Sequence, residues 1–164
     1  MLKFVPQDTS VVFAEIPDEI CLAVNLSQCP HRCPGCHSPY LQSDCGEELT
    51  NETLHNLIKK NPGVTCVCFM GGDGDKERLI ELAKDVVNEG LKTAWYSGEM
   101  EVDTYKYGWY FDYIKVGPYI EKLGPINSPT TNQRLYKIGR LYNQGLIILD
   151  DITNKFWKED GKDK

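Results

Sequence analysis

Three closely spaced cysteines constrain this chain more than any other feature. Cys29, Cys33 and Cys36 follow a C-x3-C-x2-C pattern within the segment CPHRCPGCH, residues 29–37. The prolines and the glycine of this segment disfavour regular helix and strand, so it is predicted to be a loop. A loop allows three sulfur atoms to converge on one point. Three converging thiolates favour a metal ion or a metal cluster.

The cysteine spacing alone leaves two kinds of site open. A structural zinc site takes four protein ligands, commonly as two short pairs far apart in the sequence. His31 or His37 can complete a Cys3His site, but no second C-x2-C or H-x3-H pair follows downstream. A cubane iron–sulfur cluster normally takes four cysteines. Three cysteines from one loop would leave one iron open to bind a substrate or a cofactor.

Length and composition predict a single domain that spans residues 1–164, with a charged tail over 154–164 that frays at the end. The net charge of −6 argues against a general binder of nucleic acid or membrane surfaces. No apolar run approaches the roughly 20 residues that span a bilayer, and the first residues do not resemble a signal peptide. Seven cysteines in such a chain indicate metal binding and packed thiols rather than disulfides. We therefore expect a cytoplasmic protein without nucleic-acid or membrane partners.

Alternating strand and helix patterns predict an α/β fold. The cysteine loop directly follows a predicted strand, at the end where α/β folds bind ligands. This order of elements indicates a mostly parallel sheet with helices outside it, arranged as an open or partial barrel. The predicted strands are 11–16, 20–26, 64–70, 91–96, 112–116, 135–138 and 146–149, and the predicted helices follow Thr50 and cover 75–89.

Together with a second motif, the cysteine loop resembles the signature of the radical S-adenosylmethionine (SAM) enzymes. The second motif is Gly71-Gly72-Asp73, which resembles the Gly-Gly-Glu element of that family with an acid one methylene shorter. The resemblance implies that the three cysteines hold one [4Fe-4S] cluster and that SAM chelates its fourth iron. It also implies a partial (open) βα barrel of the radical SAM type, with no catalytic residue beyond the cluster and SAM.

Within that family, the chain is similar to the activating proteins of anaerobic ribonucleoside-triphosphate reductases. The short chain and the segments 92–98, 112–119 and 128–134 carry this similarity. The similarity implies that SAM cleavage generates a glycyl radical on the large subunit of the reductase. It also implies an electron donor of the flavodoxin or ferredoxin type. The cofactor-binding residues that these resemblances imply are Gly35, His37, Gly71, Gly72, Asp73, Ser97 and Lys115.

Several alternatives remain open from the sequence. The enzyme can instead activate another glycyl-radical enzyme, such as one of the pyruvate formate-lyase type, or act on a small molecule. The non-enzymatic alternative is a zinc-stabilised binding module. Lys115 can equally be a solvated lysine at a strand end, and the segment 132–134 can bind SAM or the protein partner or form a structural turn. Cys21, Cys66 and Cys68 are predicted to be packed thiols of the core.

Overall fold

The computed structural model describes residues 1–157, in which nine strands and three helices are present. The strands are β1 (Lys3–Phe4), β2 (Ser10–Val12), β3 (Cys21–Asn25), β4 (Glu47–Glu48), β5 (Cys66–Met70), β6 (Lys92–Tyr96), β7 (Tyr113–Val116), β8 (Arg134–Leu141) and β9 (Leu146–Asp151). The helices are α1 (Asn51–Lys60), α2 (Lys76–Asn88) and the single turn α3 (Thr104–Tyr107). Of the tail predicted over 154–164, the first residues belong to a 3-10 turn, Thr153–Phe156, and 158–164 lie outside the described residues.

Seven of these strands form one open, mixed sheet in the order β2-β3-β5-β6-β7-β8-β9. The central strands β3, β5, β6 and β7 are parallel, whereas β2, β8 and β9 pair antiparallel to their neighbours. The prediction of a mostly parallel, partial βα barrel is therefore wrong. The reason lies after β7, where the chain returns through a long loop over 117–133 and adds an antiparallel hairpin. This hairpin widens the sheet instead of adding further strand–helix units.

Local signals explain where the two longer helices begin. The Thr50 side chain accepts a hydrogen bond from the Thr53 amide at the start of α1, and Asp75 accepts one from the Arg78 amide at the start of α2. Side chains of this kind satisfy amide groups that lack a partner within the helix. Both helices that the sequence predicted are thereby confirmed. No helix within residues 1–157 is long and apolar enough to cross a membrane.

The helices cover one face of the sheet only. Phe69, Trp95 and Ile114 point to that face and pack in one cluster with Leu54 of α1 and Leu79 of α2. Because side chains alternate between the faces of a strand, the neighbouring residues point the other way. The prediction of helices packed around the outside of a barrel is thus replaced by a sheet with one helical layer.

The opposite face is covered by loops and by the C-terminal turn. Cys21, Cys66 and Cys68 are fully buried there and pack with Ile16 and Ile152. The prediction that these three cysteines are packed thiols is confirmed. All seven cysteines of the chain are free of disulfides, as expected from the sequence.

The carboxyl ends of the four parallel strands lie in register. Asn25 pairs with Met70, Met70 with Tyr96, and Tyr96 with Lys115. These four residues form one row across the sheet, on the face opposite the helices. The turns that follow the four strands consequently emerge side by side.

Candidate functional site

A cavity of about 220 Å³ opens at the carboxyl ends of the parallel strands. All four residues of the row described above line it, and the cysteine loop that follows β3 forms one wall. The predicted site residues that line this cavity are Cys29, Cys33, Cys36, Gly71, Asp73, Ser97 and Lys115. These residues come from four separate segments, so the register of the sheet is what brings them together.

Three of the predicted site residues lie outside the cavity lining. Gly72 is buried beneath the turn, against Leu79 of α2. Gly35 is exposed on the cysteine loop and faces Tyr119. His37 is also exposed, and its ring centroid lies 5.1 Å from that of Tyr119. The structure therefore places Gly35 and His37 on the outer side of the cysteine loop.

Backbone hydrogen bonds hold the cysteine loop against the segment 41–43. The Gln28 amide donates to the Ser43 carbonyl at 3.0 Å, and the Cys29 amide donates to the Leu41 carbonyl at 2.9 Å. A further bond from the Cys36 amide to the Cys33 carbonyl, at 3.2 Å, closes a tight turn. The loop is irregular, as its prolines and glycine predicted, yet its N-terminal end is anchored to a neighbouring segment.

The charges around the cysteine loop favour a protonated Cys29 until a metal binds. Burial raises the pKa of the Cys29 thiol, while a hydrogen bond from the His31 backbone amide lowers it. The negative charges of Asp73, Cys33 and Cys36 raise the same pKa further. All three cysteines line the same cavity, so the charges of Cys33 and Cys36 act on Cys29. A positive metal centre would reverse the balance, because thiolates are the form that binds metal.

Asp73 joins three segments of the site. Its side chain is only 2% exposed. Its carboxylate accepts hydrogen bonds from Ser97 Oγ at 2.7 Å, from the Gly98 amide at 2.8 Å and from His31 Nε2 at 2.9 Å. A carboxylate only accepts, so His31 carries its proton on Nε2. This carboxylate thereby connects the cysteine loop, the Gly-Gly-Asp turn and the end of β6. Its oxygens already accept hydrogen bonds from the protein itself.

Lys115 brings an ammonium group into the cavity wall. The residue is 7% exposed, and Nζ donates to the Gly117 carbonyl at 2.7 Å and to the Ser97 carbonyl at 3.3 Å. Burial lowers the pKa of Lys115 to about 8, although the charges of Asp73 and Cys33 oppose this effect. The alternative of a solvated lysine at the strand end is therefore wrong.

The set of donor atoms fits a cluster better than a single metal ion. No group of three His, Cys, Asp or Glu side chains within residues 1–157 is arranged to hold one metal ion. His31, a candidate fourth zinc ligand, donates to Asp73, and the His37 ring packs at a tilt against Tyr119. Without a histidine as fourth ligand, three thiolates match a four-iron cluster, which Cys29, Cys33 and Cys36 would hold with one iron left open.

Comparison with known protein families agrees with this donor set. The model of the family described as a 4Fe-4S single cluster domain matches residues 20–110, which is more than half of the chain. The chain belongs to the 4Fe-4S single cluster domain family. As a member of this family it is an iron–sulfur, metal-binding protein, which confirms that part of the sequence prediction. Comparisons with curated proteins and with solved structures give no match.

Three residues of this 4Fe-4S domain site were not assigned to it from the sequence. His31 had a visible signal, its position inside the cysteine motif, but it was weighed as a zinc ligand and then as a bystander or a neighbour of SAM. Gly98 directly follows Ser97, and an added Cβ there would lie 2.6 Å from the His31 ring. Gln133 is 7% exposed and lines the cavity, yet it reaches the site only through the antiparallel return of β8. Its signal was membership of the segment 132–134, for which the sequence left a binding role and a structural turn open.

Proposed function

We propose that this protein is a radical SAM activating enzyme, which cleaves SAM reductively at its [4Fe-4S] cluster and generates a glycyl radical on anaerobic ribonucleoside-triphosphate reductase. The observation that carries the proposal is the single cavity lined by the three cysteines, the Gly-Gly-Asp turn, Ser97 and Lys115. The bound cluster would supply the electron that cleaves SAM. Family membership supports the cluster, and the motif resemblance supports SAM as its cofactor.

Lys115 is the residue of the cavity suited to bind the carboxylate of SAM. Its Nζ makes two hydrogen bonds to backbone carbonyls, which leaves one of its three protons for a ligand. An ammonium group in a partly dry cavity attracts a carboxylate more strongly than it would in water. The two carbonyl bonds hold Nζ in place before SAM arrives, so little side-chain freedom is lost on binding.

The Gly-Gly-Asp turn would orient the remainder of the amino-acid end of SAM. Trp95 Nε1 donates to the Gly71 carbonyl at 3.0 Å, and Trp95 itself is fully buried in the core. Asp73 is held by its three donors, as described above. The turn is thus held by Trp95 at Gly71 and by the three donors at Asp73, which favours a defined position for a bound ligand.

The shape of the cavity supports a macromolecular substrate. The cavity is open rather than enclosed, and exposed residues of the cysteine loop stand beside it. A flexible glycine-containing segment of another protein can enter an open cavity, whereas a small substrate is better protected in a closed one. The identity of that protein as the large subunit of the reductase, and of the donor as a flavodoxin or ferredoxin, rests on the resemblance of segments 92–98, 112–119 and 128–134.

The first test is SAM cleavage by the anaerobically reconstituted protein. With dithionite as reductant, we expect 5′-deoxyadenosine and methionine, both quantified by mass spectrometry. Cys33→Ala should abolish both products, while Cys45→Ala, a substitution outside the cavity lining, should retain them. A reducible cluster without SAM cleavage would instead indicate an electron-transfer domain. A colourless protein with stoichiometric zinc would contradict the cluster itself.

The second test concerns the substrate. The purified large subunit of an anaerobic ribonucleoside-triphosphate reductase is added to the SAM reaction, and electron paramagnetic resonance is used to detect a glycyl radical. We expect the radical on this subunit and none when Cys33→Ala replaces the wild-type protein. If the radical forms on a pyruvate formate-lyase type enzyme and not on the reductase, the proposed substrate is wrong and that alternative is the substrate.

A further inference from the structure

The His31 imidazole joins the cysteine loop to the strand ends behind it. His31 lies between Cys29 and Cys33 in the sequence, and its Nε2 is 2.9 Å from Asp73 Oδ2. Its side chain is 25% exposed, whereas that of Asp73 is 2% exposed. The same Asp73 oxygen accepts from the Gly98 amide at 2.8 Å. The histidine is therefore bonded to a buried group that belongs to other segments.

Gly98 provides the space in which this imidazole lies. A Cβ atom at Gly98 would stand 2.6 Å from His31 Cδ2 and 3.1 Å from His31 Cγ. Real Cβ atoms do not approach other heavy atoms so closely, so any larger residue at this position would displace the ring. The hydrogen bond and the tight fit are separate observations, and both hold the ring at the end of β6.

The main chain of His31 lies beside one of the three predicted cluster ligands. Its backbone amide faces the Cys29 sulfur. Hydrogen bonds to cysteine sulfurs are one of the factors that set the reduction potential of an iron–sulfur cluster. Groups beyond the ligands that orient them also contribute to metal affinity. A side chain that fixes the main chain at residue 31 would therefore affect both properties.

We propose that His31 is a positioning residue for the cluster: its imidazole, placed on Gly98 and bonded to Asp73, fixes the cysteine loop so that Cys29 and the amide facing it keep one orientation. The inference rests on cluster binding, which family membership supports, and not on the proposed cleavage of SAM. A protein that holds a cluster but does not cleave SAM would still test it fully.

The experiment compares His31→Ala and His31→Gln with the wild type after anaerobic reconstitution with iron and sulfide. The rate of iron release to a chelator and the midpoint potential of the cluster are measured. We expect His31→Ala to release iron about 10-fold faster and to have a more negative potential, because the amide to Cys29 loses its fixed direction. Glutamine can donate to Asp73 through its amide nitrogen, so His31→Gln should recover much of both properties.

Two further variants complete the design. His55→Ala removes an exposed histidine of α1 that pairs with Glu89, and it should match the wild type. Gly98→Ala leaves His31 chemically intact but displaces its ring, so it should reproduce both effects of His31→Ala. If His31→Ala does not fold, Gly98→Ala still tests whether the position of the His31 ring affects the cluster.

The proposal would be overturned by either of two results. The first is iron release and a midpoint potential that stay at wild-type values in both His31→Ala and Gly98→Ala. The second is faster iron release with an unchanged potential, which would mean that the loop is merely loosened and that His31 does not orient the Cys29 sulfur and its amide.

Discussion

Replacing Asp73 with alanine tests the network that connects the cysteine loop to the sheet. The side chain is 2% exposed and accepts from Ser97, Gly98 and His31. Alanine would leave the Ser97 hydroxyl and the Gly98 amide without an acceptor, and each unsatisfied buried donor costs about 1–3 kcal/mol. Water can replace the partner of His31, which is partly exposed. We therefore expect the free energy of unfolding to fall by about 4 kcal/mol.

Asp73→Asn is the matched control, because it keeps the shape of the side chain and removes its charge. The amide oxygen can accept from Gly98 and His31, and the amide nitrogen can donate to Ser97 Oγ, which is able to accept. Only the charge assistance of these bonds is lost, so we expect a destabilisation of about 1 kcal/mol.

The assay is thermal unfolding of the anaerobically reconstituted proteins, followed by circular dichroism. One kcal/mol corresponds to roughly 2–4 °C for a chain of this size, so Asp73→Ala should lower Tm by about 8–16 °C and Asp73→Asn by about 2–4 °C. Equal losses in the two variants would refute the reasoning, because the hydrogen-bond geometry would then not matter. Under the proposed function, the affinity for SAM gives a second readout. If the carboxylate bound the SAM ammonium directly, asparagine would weaken SAM binding as much as alanine.

Three other substitutions, one of them with a matched control, test the surroundings of the site. Burial lowers the pKa of Lys115 from 10.5 to about 8. Between these two pH values the folded state therefore binds fewer protons than the unfolded state. The free energy of unfolding consequently rises with pH, by at most about 1.4 kcal/mol per pH unit. Lys115→Met should remove this rise in urea titrations from pH 8 to 10, and an unchanged slope would argue against a buried lysine. Gly72→Ala should destabilise by about 2–4 kcal/mol in urea, because a φ of +100° disfavours alanine and the methyl would lie 3.1 Å from leucine side chains. Gly63→Ala is the control, because Gly63 has a φ of +91° but nothing within 4 Å of an added Cβ. It should lower the free energy of unfolding by only about 1–2 kcal/mol. Equal decreases in Gly63→Ala and Gly72→Ala would contradict the role of packing at Gly72. Trp95→Phe removes the donor to the Gly71 carbonyl from a fully buried position. It should lower the free energy of unfolding, measured by urea titration, by about 2–4 kcal/mol. A decrease of under about 1 kcal/mol would count against that hydrogen bond.

Local sequence signals predicted the helices and the central strands well. Thr50 caps α1 as the pattern predicted, and Asp75, predicted as the first residue of the second helix, caps α2. The runs that became β3 and β5 are apolar and almost wholly buried, as parallel strands covered on both faces require. These features depend on residues within a few positions of each other, so one sequence suffices to predict them.

The overall arrangement of the sheet was not predictable in the same way. Strands were predicted over 135–138 and 146–149, but the antiparallel pairing of β8 with β7 was not. Strand patterns show which residues face a core and do not show which strand becomes the neighbour. The direction of pairing depends on the path of the loop over 117–133, and its composition does not encode that path.

For the site, the sequence by itself determined the donor chemistry. The number and the spacing of the three cysteines are local properties, and thiolates select soft metals and iron–sulfur clusters wherever the loop lies. Only the tertiary structure decided what surrounds them. It buried Lys115, and it directed His31, Ser97 and the Gly98 amide onto Asp73. Those contacts join residues that are 24 to 42 positions apart, because the register of parallel strands places their ends side by side.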